Sequence, residues 1–107
     1  MVTNKKLAQS ALSSTVSILC SGIADKTVEA HAIYFCNTST TDRTVTTYAH
    51  GSADANMIMT LEVESGGFVA IPKDEFIVVL GSTSESLYAK QDTGTDITCT
   101  VYGLEES

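Results

Sequence analysis

A chain of 107 residues, 43% of them hydrophobic and 18% charged, is long enough for one domain with a real core and too short for two. Its formal charge is −7 and Arg43 is its lone arginine, which argues against binding to nucleic acid or to an anionic membrane surface, since both depend on Lys and Arg. No apolar run approaches the roughly 20 residues that cross a bilayer. No basic-apolar-small leader opens the chain, so a secretory signal is not expected. Thr, Ser, Val and Ile are plentiful and Trp is absent. β-branched side chains are stiff at χ1 and fit a pleated surface better than a helix.

Residues 1–14 read as an N-terminal arm, with one or two helical turns available between Asn4 and Leu12. Lys5 and Lys6 are its charges, and Leu7 and Leu12 its apolar anchors. Such an arm is expected to stay mobile until a partner orders it. Alternation begins at Thr15, with Val16, Ile18 and Cys20 on one face. The next run, Thr27 to Cys36, puts Val28, Ala30, Ala32, Tyr34 and Cys36 on one side. Its second half is apolar on both faces, so Ile33 and Phe35 are expected to meet a second cover. A polar turn over residues 37–43 and a run from Thr44 to His50 complete a hairpin candidate.

Met57, Met59, Leu61 and Val63 then alternate with Ile58, Thr60, Glu62 and Glu64, an apolar face with an acidic back. Gly66-Gly67 turns the chain, and Phe68 to Ile71 make a short strand stopped by Pro72. Phe76 to Leu80 is apolar throughout, which implies a central strand or an outer face, with Phe76 and Val78, held against a partner. Lys73, Asp74 and Glu75 flank it as gatekeepers. Leu87 to Lys90 and Ile97 to Tyr102 are the last strands. About eight short strands, with no helical pattern between them, predict an all-β fold: an antiparallel β-sandwich over residues 15–107, jelly-roll-like.

Chemistry leaves few marks. Cys20, Cys36 and Cys99 have no metal-ligand spacing, and an odd count makes a poor disulfide framework. Each falls in register with apolar neighbours, the pattern of buried free thiols. His31 and His50 are isolated, and no GxSxG, GxxxxGK[ST] or GxGxxG occurs. Glu62 and Glu64 suit a solvated strand face. No catalytic residue, metal or cofactor is expected.

The stretch from His31 to Tyr48, a strand ending in Phe-Cys-Asn-Thr, a polar loop with Asp42-Arg43, then Thr-Val-Thr, resembles small β-sandwich structural proteins of tailed bacteriophage virions. Residues 13–20, Val79 to Ala89 and 97–105 resemble the same group. Many of its members carry a Pro-Ala-Gly turn near position 25, where this chain has Ile23-Ala24-Asp25-Lys26. The resemblance implies a non-enzymatic virion protein, assembled in the host cytoplasm. It would be a homo-oligomer, a trimer, that decorates or cements the capsid by binding the major capsid protein. A neck or tail component is the neighbouring alternative. A carbohydrate-binding sandwich is another, with Tyr48, Tyr88 and Tyr102 as platform residues. The partner contacts expected are Lys5, Lys6, Leu7, Leu12, Ile33, Phe35, Phe76 and Val78.

Overall fold

The computed structural model describes residues 2–72 and 77–106. These form two antiparallel sheets from nine strand segments: β1 (Val2–Ala11), β2 (Ser17–Ser21), β3 (Thr27–Asn37), β4 (Arg43–Ala49), β5 (Met57–Val63), β6 (Phe68–Ile71), β7 (Val78–Leu80), β8 (Ser86–Gln91) and β9 (Ile97–Glu106). The first sheet runs β1-β9-β3-β6, with β7 also on β3; the second runs β2-β8-β4-β5. β6 pairs with residues 33–36 of β3 and β7 with residues 28–30, so the two segments fill one strand position, broken after Ile71 by Pro72. Counted by position, eight strands wind back and forth between the sheets in jelly-roll order.

The arm is a strand. Residues 2–11 pair with β9 from Val2–Glu106 to Ala11–Thr98, and the Leu12 N–H donates to the Ile97 carbonyl at 2.8 Å. A helix of one or two turns is marginal in water, whereas the edge of β9 satisfies the whole segment. The boundary expected after residue 14 therefore falls inside the sandwich. The hairpin expected across residues 37–43 is a crossover instead, since β3 lies in the first sheet and β4 in the second. Asn37, 1% exposed, makes that corner. Its Nδ2 donates to the carbonyls of Thr41 (2.9 Å) and Val63 (3.0 Å), and its Oδ1 accepts from the Ser39 N–H (2.9 Å).

The inward faces meet in one core of Leu12, Val28, Ile33, Phe35, Leu80, Leu87, Ile97 and Val101, with Ala30, Ala89 and Cys99 filling the narrow places. Each large side chain buried this way contributes about 1.5–3 kcal/mol. Two polar clamps close the rims. Gln91 is wholly buried, donates to Asp96 Oδ1 (2.7 Å) and accepts from the Ile97 N–H (2.9 Å). Arg43 Nε and Nη2 both reach the Asp96 carboxylate at 3.1 Å, so Asp96 ties β4 to the β8–β9 loop. At the opposite end Glu105 accepts from Lys5 (3.1 Å) and Lys26 (2.7 Å).

Four bulges set which side chains face in. Leu7, Leu19, His31 and Ile58 are each an extra residue opposite a continuous partner strand. A bulge moves everything beyond it to the other face. Val28 and Ala30 thus point inward before His31, and Ile33, Phe35 and Asn37 after it, while Ala32, Tyr34 and Cys36 turn outward. Met57 likewise lies out, 45% exposed, though Leu61 and Val63 pack inward. Ile18 pairs with Tyr88 on the outside, and Cys20, one bulge on, packs against the core. At the His31 bulge Gly103 lies so close to β3 that a Cβ would collide with the Glu29 carbonyl oxygen.

Candidate interaction surface

The outward side of the first sheet gathers the exposed aromatic residues. Successive registers read Phe68–Cys36–Thr98, then Ala70–Tyr34–Thr100, then Ala32–Tyr102–Lys6. Phe68 is 74% exposed, Tyr34 45% and Tyr102 41%. The rings of Tyr34 and Tyr102 meet edge to face with centroids 5.5 Å apart, a favourable geometry for the ring quadrupoles. Gln9 Nε2 donates to Thr100 Oγ1 at 3.0 Å and closes the β1 side. A shallow apolar depression lies between Gln9, Tyr34, Cys36, Phe68, Thr98 and Thr100.

Charge is sparse there. Down to the register where Glu29 meets Leu104 and Val79, the only charged residues on this face among the described residues are Lys6 and Glu29, with Glu106 beyond them at the far end. Among the described residues neither Lys6 nor Glu29 enters an ion pair, and Lys6 Nζ donates only to Gln9 Oε1 at 3.3 Å. Elsewhere some of the described charges are paired. The Arg43 guanidinium, with Gln91 second, holds the Asp96 carboxyl down at about 2. Lys26, then Lys5, lower Glu105.

All three cysteines carry free thiols. Burial raises Cys99 to about 12, with nearby Cys20 adding to it, and raises Cys20 to about 11. Cys36, expected to be buried, is exposed because the His31 bulge turns its half of β3 outward. Both ring nitrogens of His31 are buried without a hydrogen-bond partner among the described residues. No group of three His, Cys, Asp or Glu there is placed to hold a metal ion, and no helix is long and apolar enough to cross a membrane.

The expected contact residues fall into three sets. Lys6 stands on the outer face of the first sheet, and Lys5 turns to Glu105 instead. Leu12, Ile33 and Phe35 are at most 1% exposed and Val78 is 7% exposed, all in the core where a docking partner cannot reach them, and Leu7 is partly buried against that core. Phe76 lies outside the described residues. β7 is an edge segment rather than a central strand, and its exposed members are Ile77 before it and Val79 within it. Strict alternation thus selects Ile33 and Phe35 where the surface is made by Tyr34 and Cys36. Of the three tyrosines suited to a sugar platform, Tyr48 is 2% exposed, Tyr88 is half-buried and Tyr102 is open.

No protein-family model matches the chain and no curated protein matches it. A solved structure described as "Bacillus endospore appendages form a novel family of disulfide-linked pili" is similar over 96% of this chain and 88% of its own, with 14% identity and a TM-score of 0.48. A likeness that faint says nothing of what this chain does.

Proposed function

We propose that this chain is a structural subunit that acts by contact with copies of itself and with a larger assembly, and that it catalyses nothing. The observation that carries the reading is the outer face of the first sheet. Three aromatic rings stand exposed on a surface that carries few charges among the described residues, in a chain whose net charge is −7. Contiguous exposed apolar surface of this kind marks interaction sites. The setting we propose is a tailed-phage particle, with this chain as a capsid decoration or cement protein on the major capsid protein. Its support is the likeness of residues 31–48 to such proteins, together with the jelly-roll order of the strands. A lattice of many copies lets weak single contacts add up. The resemblance implies a trimer.

Two measurements test this. Light scattering across the micromolar range should return an oligomer, and a monomer mass throughout would remove the self-association. Mixed with tailed-phage heads stripped of small outer proteins, the chain should sediment with them. Failure there, with the oligomer intact, would remove the capsid setting alone. Binding on a glycan array would favour the carbohydrate reading, for which open Tyr34, Tyr102 and Phe68 would be the platform.

A further inference from the structure

We infer that a second copy of this chain docks on the outer face of the first sheet, so that two copies pair about a two-fold axis. The inference rests on the self-association proposed above, departs from the trimer that the resemblance implies, and adds the surface that makes the contact. Electrostatics selects the occupant. The chain has 13 acidic residues against 6 basic ones, so most copy-to-copy contacts would bring acid against acid. Among the described residues the central charges on this face are one of each sign, Lys6 on β1 and Glu29 on β3, and neither has an ionic partner there. A two-fold contact sets residue i against j and j against i. The face therefore provides both halves of two identical ion pairs, while Tyr34, Tyr102 and Phe68 provide the desolvated centre that interfaces concentrate in aromatic residues.

The dimensions are suitable. Four strands about 4.8 Å apart over about eight residues of 3.4 Å rise span roughly 500 Å² in plan. Side-chain relief brings the accessible surface toward the ~800 Å² per partner of a specific interface. Sheets packed face to face sit about 10 Å apart, which leaves no path for solvent to a side chain between them. Cys36 lies on this face beside Phe68 and is exposed in the single chain, so its thiol reports whether the face is covered.

The experiment follows the rate at which a thiol reagent labels Cys36 in the native full-length chain, read by peptide mapping, alongside light scattering as concentration rises. The expected result is a dimer mass with Cys36 labelled roughly tenfold or more slowly than in the dilute protein, a protection equivalent to tenfold or greater occupancy of the paired state. Phe68→Glu should return a monomer and the fast rate, and Phe68→Ala serves the same purpose should the charged variant fail to fold. Lys6→Glu should weaken the dimer, and adding Glu29→Lys should restore it. A dimer or trimer whose Cys36 reacts at the dilute rate would place the contact elsewhere and overturn this inference while self-association stands. A trimer with Cys36 protected would overturn the two-fold pairing. A monomer at every concentration would remove both.

Discussion

The two sheets have outer faces made of similar residues, yet only the second covers its central tyrosine, although Ile18 and Met57 stay exposed there. On the second sheet Tyr48 lies in a row with Tyr88 and Met57 and is 2% exposed, and Thr46, in the register beside it, is 8% exposed under Lys90 and Thr60. On the first sheet Tyr34, also on a central strand, is 45% exposed. Its cross-strand neighbours are Thr100 and Ala70. Long neighbours such as Tyr, Met and the aliphatic stem of Lys lie over a ring and roof it. Short neighbours leave it standing. Whether an outward aromatic ring is covered or left exposed is thus decided by the length of the side chains on the adjacent strands, not by the ring itself.

The contrast can be broken most forcefully at Gly103. Any Cβ there meets the Glu29 carbonyl, and backbone cannot step aside as a side chain would. Gly103→Ala should cost about 3 kcal/mol or more through overpacking and disturb the register that displays Tyr102 and Tyr34; a urea midpoint near that of the parent chain would refute it. The contrast is sharpened by a pair of matched truncations. Tyr48→Ala should cost about 3 kcal/mol, as for a buried ring, and Tyr34→Ala under about 1 kcal/mol when both are measured on dilute chain. Equal costs would mean that the two faces do not differ as described. Asn37→Ala leaves the carbonyls of Thr41 and Val63 without their donor at the crossover between the sheets. A loss of about 2 kcal/mol is expected in thermal or chemical unfolding.

The smallest effect concerns the loop that joins the two sheets. Asp96 titrates at about 2 in the folded chain against an ordinary 3.8, because Arg43 and Gln91 bind its charged form. A lowered folded pKa means stability that is complete above about 4 and lost as pH falls from there toward 2. Asp96→Asn should flatten that part of the stability–pH curve, and an unchanged acid limb would contradict the assignment. The group is solvent-accessible, so the effect is modest and weakens with salt.

Alternation alone located the strands from β2 to β9 to within a residue or two, apart from β7 and the tail of β9, because strand existence follows from β-branched runs between turn residues. It failed on faces. Apart from Val78 on β7, each error of face lies beyond a bulge. Leu19, His31 and Ile58 look in sequence like ordinary members of an alternating run, and one extra residue transfers Tyr34, Cys36 and Met57 to the other side. No residue type marks such a site on its own strand. The trace is on the partner: Gly103, between Tyr102 and Leu104, is where β9 lets a bulged neighbour approach. β1 escaped for a different reason, since Asn4 to Leu12 has no β-branched residue and is made a strand only by the free edge of β9. Ile33 and Phe35, the β3 residues expected to meet a partner, face the core.

The antiparallel pairing of β1 with β9 brings Val2 beside Glu106, so both ends of the described chain leave the sandwich at one corner. Tension applied between those ends would peel the two strands apart one hydrogen-bonded register after another, the weak direction of a β ladder, instead of loading all its bonds in shear. A subunit built this way resists force through its faces and yields to force through its ends. In the assembly proposed above, strain would have to pass from face to face, leaving the terminal corner slack.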